Sequence, residues 1–402
     1  MVNIMSEIKK VVIVSAARTP VASFMGAFKD VPATMLGSAA IKGVIEKSGI
    51  DPACVDEVIM GNVLPANEGQ APARQAALGA GLDKSVQCLT INKVCGSGLK
   101  AVMLAAQAIQ VGDADVVIAG GMENMSQAPF YLPDYRAGHK MGHATVVDGM
   151  IKDGLWDPYN DFHMGNAAEM CAKSCDVPRD AQDEFSILSY KRALESMETG
   201  RFKDEIVPVT VTRRKGDPIV VAEDEEPHRV NFEKIPKLRP AFEKDGTVTA
   251  ANASSINDGA AALLLMSEEK ARALGLTPMV TIVSQASAAR LPEEFTTAPS
   301  DSIRKALGKA GLKVEDIDLF EINEAFAVVT LINNRLLGIP VEKVNVHGGS
   351  VAIGHPIGAS GARILVTLLH AMQQRSARRG LASICIGGGE ASTLIVEKFE
   401  NE

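Results

Sequence analysis

Apolar positions along this chain fall into two alternating patterns. Val11-Val12-Ile13-Val14-Ser15 is an unbroken, mostly β-branched run, the signature of a strand covered on both faces. A turn at Thr19-Pro20 follows, and then a helical pattern over about residues 32–48, closed by Gly49. Residues 56–63 read as the next strand, 74–78 as helical and 87–91 as a short strand. An alanine-rich apolar helix over 99–109 leads to a buried strand at 115–121. Strands alternating with helices predict a mostly parallel sheet covered on both faces.

The second half repeats this order. Val280-Thr281-Ile282-Val283-Ser284 echoes Val11-Val12-Ile13-Val14-Ser15, and the helix ending Lys309-Ala310-Gly311-Leu312 echoes the one ending Lys47-Ser48-Gly49-Ile50. Each leads through an acidic turn to a strand ending in Asn, at residues 56–62 and 318–323. Gly358-Ala359-Ser360-Gly361 opens a helix as Cys95-Gly96-Ser97-Gly98 does, and residues 383–390 parallel 116–123. Matches in one order imply an internal duplication: two similar α/β domains about a pseudo-twofold, with a site where the matching loops meet. Residues 124–250 match neither copy; they hold the sole Trp156 and the charged stretch Arg213-Arg214-Lys215-Gly216-Asp217. Such an insertion is expected to form a lid or binding subdomain. The expected domains are therefore 1–123 with 251–274, the insertion 124–250, and 275–402.

A chain of 402 residues exceeds one ordinary core, in keeping with this division. The 41 Lys+Arg against 49 Asp+Glu give a net charge of −8, and no basic block marks a nucleic-acid surface. A phosphate-bearing ligand would need a local basic patch. The six cysteines are scattered without a CxxC pair, which argues against a disulfide framework or zinc knuckle. Cys171 and Cys175 lie one helical turn apart, but no His, Asp or Glu set accompanies them as metal ligands. Residues 1–10 lack the apolar core of a signal peptide, the last residues form no peroxisomal tripeptide, and no apolar run reaches roughly 18 residues. A cytoplasmic protein without membrane contact is expected.

The candidate chemistry centres on Ile91-Asn92-Lys93-Val94-Cys95-Gly96-Ser97-Gly98. A thiol on a tight loop at a helix start should feel the positive end of the helix dipole, lowering its pKa and making Cys95 a nucleophile. The flanking glycines would let backbone approach whatever the sulfur attacks. Matching loops of the second copy offer Asn323, His355 and Cys385. His355, in Gly354-His355-Pro356-Ile357-Gly358, is placed to act as base or oxyanion donor. Cys385 precedes Gly387-Gly388-Gly389, whose N–H groups could hold an oxyanion, and Asn323 could position a water.

These motifs, together with Gly120-Gly121-Met122-Glu123-Asn124-Met125-Ser126, Asn252-Ala253-Ser254, Asn257-Asp258-Gly259-Ala260 and Asn323-Glu324-Ala325-Phe326, make the chain resemble the thiolase family from Val11 to Glu397. The resemblance is to its acetyl-CoA C-acetyltransferase branch. It implies the layered α-β-α-β-α thiolase fold, two duplicated α/β domains with an inserted loop domain that binds coenzyme A. It implies Cys95 as acyl acceptor activated by His355, and Cys385 as the acid/base for the α-carbon. Asn323 would hold a water that, with His355, forms one oxyanion hole, while the N–H groups of Cys95 and Gly387 form the other. His163 and Met164 would face pantetheine, Ser254 would contact coenzyme A, Arg229 would lie near the nucleotide, and Phe295 would shorten the acyl pocket. Tyr190, Ala250, Ala251, Ala253 and Val351 resemble a potassium site; no other cofactor is implied beyond coenzyme A as substrate. Acetyl-CoA and acetoacetyl-CoA would be the partners of a homotetramer built from dimers.

The chain departs from the family pattern after the triple glycine, where Glu390-Ala391-Ser392 stands in place of the usual Gln-Gly or Met-Gly. A broad-chain degradative 3-ketoacyl-CoA thiolase would share nearly every motif. Ketoacyl-ACP and hydroxymethylglutaryl-CoA synthases also use Cys and His, but Cys385 with its triple glycine favours a thiolase. Gly96-Ser97-Gly98-Leu99-Lys100-Ala101 also fits a GxGxxA dinucleotide fingerprint of an NAD-dependent dehydrogenase. It follows the wrong strand, and no acidic residue ends the next one.

Overall fold

The computed structural model describes residues 8–213 and 215–400. Most of segment 1–10, Arg214 of the charged stretch and the last two residues lie outside the described residues. The principal strands are β1 (Val11–Arg18), β2 (Glu57–Gly61), β3 (Gln87–Ile91), β4 (Val116–Asn124), β5 (Asn257–Ser267), β6 (Val280–Ala289), β7 (Leu319–Ile322), β8 (Arg379–Ile386) and β9 (Glu390–Lys398). The helices that matter here are α1 (Ala33–Ser48), α2 (Pro72–Gly79), α3 (Ser97–Val111), α4 (Met164–Ser174), α5 (Arg179–Glu198), α6 (Glu268–Ala273), α7 (Ala298–Ala310), α8 (Ala327–Leu337) and α9 (Ile357–Gln374).

Among the described residues these strands run in the order β7-β8-β9-β6-β1-β5-β4-β2-β3, and Ala22–Ser23 adds a short pairing to β5. The order is symmetric about the β6–β1 junction, as a duplication requires. Even the irregularities repeat: β1 shifts register against β5 between Ile13 and Ser15, and β6 against β9 between Ile282 and Ser284. Val14 and Val283, the bulged residues, occupy one position of the repeat. Where the first copy pairs β3 with β2, the second keeps a single parallel bridge between Phe320 and Val344.

The sheet is not mostly parallel. Only β2–β3, β2–β4 and β7–β8 pair in parallel among the described residues. The pairs β1–β5, β5–β4, β1–β6, β6–β9 and β8–β9 are antiparallel. Parallel neighbours need a long crossover, and these three pairs have one. Antiparallel pairing carries no such requirement: β8 turns straight into β9 through the triple glycine, whereas the whole insertion lies between β4 and β5.

Two layers of helix cover the outside and one fills the middle. Helices α1 and α2 bury Leu36, Ile41, Val44 and Ala76 against the outer face of the first copy. Helix α7 buries Ile303, Ala306 and Leu307 against the outer face of the second. Between the two faces lie α3 and α9, with Leu99, Val102, Ile109, Ile364, Leu365 and Leu369 in one continuous core. The order is thus α-β-α-β-α. The stretch Val94–Val111 is long and apolar enough to cross a membrane by length and composition, contrary to the sequence expectation, but the fold places it in this middle layer.

Equivalent glycines let the two middle helices touch. A Cβ on Gly98 would fall 2.7 Å from the Ala362 nitrogen, and one on Gly361 would fall 2.5 Å from that of Leu99. Close crossing of α3 and α9 brings the helix N-termini of both copies, and so the loops before them, to one place.

Candidate active site

Those loops line a pocket of about 450 Å³ whose walls include Cys95, His355, Cys385 and Gly387. The sequence expectation that the matching loops meet therefore holds for these four. Cys95 is presented by a wound loop between β3 and α3. The Asn92 Oδ1 accepts the Val94 N–H at 2.9 Å, and the Ser97 hydroxyl accepts the Lys93 N–H and donates to the Val94 carbonyl. Val94 itself sits at φ 45°, an uncommon conformation for a β-branched residue.

The thiol is not acidified as the helix dipole alone would suggest. Burial pushes the Cys95 thiol up to about 11, while the N–H groups of Gly387 and of Cys95 itself oppose the rise and Glu123 adds to it. Cys95 keeps some exposed surface, but protein surrounds the sulfur. A helix dipole stabilises a charge at such a site by about 0.3–1 kcal/mol, and desolvation exceeds it. Cys95 therefore rests as a neutral thiol, and a nucleophilic role for it would call for a base.

His355 lies on the same pocket wall with a ring nitrogen free to take a proton. Its N–H donates to Asn257 Oδ1 at 2.8 Å, fixing the loop, and its ring Nδ1 lies 2.6 Å from Ser360 Oγ. The Ser360 hydroxyl donates to the Pro356 carbonyl at 2.8 Å, so it must accept from Nδ1–H. That fixes the tautomer with a lone pair on Nε2, which is buried without a partner among the described residues. Burial, helped by the nearby Arg363 cation, pulls the imidazole down to about 3, so it rests neutral.

Cys385 ends β8 and is 1% exposed. Burial, and then the neighbouring Cys95, hold its thiol well above the ordinary value, against its own N–H and that of Ala325. Asn323 lies behind the pocket wall and not on it. Its Oδ1 accepts from the Ser350 hydroxyl at 2.6 Å, which leaves Nδ2 buried and unpartnered among the described residues.

The binding side is apolar and aromatic. His163 caps α4 by accepting the Gly165 N–H at 3.0 Å, and its ring stacks on Phe242 with centroids 4.9 Å apart. Burial lowers its pKa. Met164, Ser254 and Phe295 also line the pocket, with the Ser254 hydroxyl donating to the Ala325 carbonyl at 2.9 Å. Phe295 packs edge-on against Phe326 at 6.3 Å. Arg229 does not reach the pocket; its exposed side chain pairs at 3.5 Å with Glu226, which does. Of the residues resembling a potassium site, Ala250 and Ala253 line the pocket, and Tyr190 and Val351 share a neighbouring buried cluster.

Sequence reasoning gave no role to Glu123, Phe242 or Phe326. Glu123 is fully buried at the end of β4. Its carboxylate accepts from Asn62 Nδ2 and the N–H groups of Val63, Leu64 and Gly358, tying the first copy's loop to the start of α9. Burial pushes it up to about 8 against the three N–H donors of Leu64, Val63 and Gly358. The strand-end position of Glu123 and the place of Phe326 in Asn323-Glu324-Ala325-Phe326, just before α8, are the available signals; Phe242 sits in an irregular segment and offers none.

A family model described as the thiolase N-terminal domain matches residues 11–269, and one described as the thiolase C-terminal domain matches residues 276–398. The chain belongs to the thiolase family. It is similar to acetyl-CoA acetyltransferase 2 of Arabidopsis thaliana, 54% identical over 391 residues, with 97% of each chain covered. It is 53% identical over 389 residues to acetyl-CoA acetyltransferase of Pseudomonas aeruginosa, covering 96% of this chain and 99% of that one. A solved structure, the acetyl-CoA acetyltransferase of Bacillus anthracis, matches with TM-score 0.95 at 41% identity, over 98% of this chain and 100% of that one. The dinucleotide reading has no place in this thiolase, because Gly98 faces α9 instead of a phosphate.

Proposed function

We propose that this thiolase is an acetyl-CoA C-acetyltransferase, interconverting two acetyl-CoA with acetoacetyl-CoA and coenzyme A through an acetyl-Cys95 intermediate. The observation that carries the reading is a mostly apolar pocket holding two thiols, both raised by burial, beside an unpartnered neutral imidazole. In the thiolysis direction the Cys95 sulfur attacks the ketone carbon of acetoacetyl-CoA and its proton passes to His355 Nε2. The carbon–carbon bond breaks, and the departing enolate takes the Cys385 proton. His355 passes the proton it took to Cys385; coenzyme A then enters, gives its thiol proton to His355 and attacks the acetyl group, and His355 hands that proton to Cys95. Condensation is the reverse.

Each group suits its step. A thiol kept protonated by burial is an acid ready for a strongly basic enolate. The Cys95 and Gly387 N–H groups hold the acetyl-enzyme oxygen, and a water on Asn323 Nδ2 joins protonated His355 at the other carbonyl. The aromatic and sulfur-rich wall of His163, Met164 and Phe242 takes pantetheine, with Ser254 beside it, and Arg229 lies outside toward the nucleotide.

The alternative is a broad-chain 3-ketoacyl-CoA thiolase. Phe295, 3% exposed and braced by Phe326, closes the acyl end and favours short chains. Coenzyme A-dependent thiolysis of acetoacetyl-CoA, 2-methylacetoacetyl-CoA and longer 3-ketoacyl-CoAs tests this. Activity confined to the short substrates is expected, and comparable rates on long chains would replace this reading with the degradative one.

Potassium is a further part of the proposal. The carbonyls of Ala250 and Ala251 accept no hydrogen bond among the described residues, and oxygen donors of this kind suit a hard cation. Thiolysis is expected to run faster in potassium than in sodium buffer; equal rates would remove the site. We also read the chain as a cytoplasmic homotetramer. A relative from Gibberella zeae, 51% identical over 397 residues, is named as cytosolic, and a light-scattering mass of four chains would support the assembly.

A further inference from the structure

One charged pair beside the reacting sulfur has no part in the steps above. Lys93, two residues before Cys95, forms an ion pair with Glu390, three residues after Gly387. They are 297 positions apart in the chain. Both backbones are anchored. The Lys93 N–H donates to Ser97 Oγ at 2.8 Å, and its carbonyl accepts the Gly96 N–H at 3.0 Å. Glu390 starts β9, paired with Ile386 across the hairpin and with Ala289 on β6.

The pair lies across a contact between two loops. A Cβ on Gly96 would fall 2.3 Å from Ile386 Cδ1, and one on Gly387 would fall 3.4 Å from Val94 Cγ1. One loop carries the Cys95 N–H and the other the Gly387 N–H, the two donors assigned above to the acyl oxygen, and Cys95 and Gly387 line the same pocket. The hairpin between them has no side chains to stiffen it: Gly388 and Gly389 stand at φ 86° and 87°. Apart from the Gly389 carbonyl, which accepts the Arg290 N–H at 2.8 Å, the turn is held at its ends. Ile386 braces one end on Gly96, and Glu390 braces the other on Lys93. Glu390 is not the counterpart of Glu123, contrary to the sequence match of 383–390 with 116–123: it starts β9, which the symmetric order matches with β5, whereas Glu123 ends β4, its carboxylate engaged by donors around its own strand end. Glu390 reaches instead to the nucleophile loop.

We infer that the Lys93–Glu390 pair is a positioning device that sets the spacing of the two N–H donors on the acyl oxygen. This rests on the roles proposed for Cys95 and Gly387. A donor displaced by a few tenths of an ångström, or tilted, loses much of its hydrogen bond to a developing oxyanion. A partly exposed ion pair contributes little to global stability. Its loss therefore shows in rate and leaves folding nearly unchanged.

Glu390→Gln, Lys93→Met and the swapped pair Lys93→Glu with Glu390→Lys test this. The readouts are kcat and KM for acetoacetyl-CoA thiolysis, and the rate and site of acetylation by acetyl-CoA, read by peptide mass spectrometry. The single variants are expected to lose roughly five- to tenfold in kcat and in acetylation rate, with KM within about twofold. The swap is expected to return to within about twofold of the parent, which a merely local packing defect would not do. Single variants at the parent rate, or a swap no faster than the singles, would overturn the clamp. Acetylation of the parent at a residue other than Cys95 would overturn the nucleophile instead, and the peptide map separates the two results.

Discussion

Cys95→Ser is expected to lower acyl transfer by about a thousandfold or more, while the variant still folds and binds coenzyme A. The pocket already holds the thiol near 11, and a hydroxyl, intrinsically much less acidic, would be held protonated more firmly by the same desolvation. His355, pulled down to about 3, is too weak a base to remove that proton ahead of attack. Only a soft sulfur that gives up its proton as it bonds can use such a partner. Incubation with acetyl-CoA followed by peptide mapping reads this directly; acetylation of the Cys95→Ser variant at the parent rate would refute the nucleophile. The pH dependence follows from the same shifts. His355 is neutral at every pH above about 3, so the thiolate fraction of free Cys95 rises with pH until about 11. Alkylation of Cys95 by iodoacetamide should accordingly keep climbing past pH 9. A plateau below pH 8 would mean that the helix dipole wins after all.

That opposition between dipole and desolvation marks where the sequence stops being informative. A cysteine before Gly-Ser-Gly and an apolar run announces a helix start, and α3 begins at Ser97, two residues after it. Burial of the sulfur depends on Gly387, Ile386 and the pocket wall, none of which neighbours Cys95 in sequence. From the sequence alone, the flanking glycines are expected to make room for substrate. Gly98 makes room for α9, and Gly96 for Ile386. The repeat was legible because both copies kept their strand runs and helix ends, down to a bulge at Val14 and at Val283. Strand direction was not, since it follows from which connections cross over, and β9, with Ala391-Ser392-Thr393, lacks the unbroken apolar run that marked the others. The insertion hid α4 and α5 for a similar reason: α5 buries Ser186, Ser189 and Gln182 among polar partners, so its inner face is not apolar. Pairs such as Lys93 with Glu390 belong wholly to the folded chain.

Cys385→Ser is expected to separate the two half-reactions. Acetylation of Cys95 by acetyl-CoA should continue within about threefold of the parent rate, whereas condensation and acetoacetyl-CoA cleavage should fall by about a thousandfold or more. The first half needs only the Cys95 thiol, the Nε2 lone pair and the two N–H donors, and a serine at position 385 disturbs none of them in volume or backbone. The second half needs a group that exchanges a proton with carbon. A thiol can do so because its conjugate base, though penalised by burial, is less strongly hydrated than an alkoxide and loses less on entering an apolar pocket; an alkoxide there would be far less accessible. Mass spectrometry of the acetylated variant, beside its condensation rate, checks both halves at once. Near-normal condensation would remove Cys385 as the carbon acid/base and leave His355 to serve both steps.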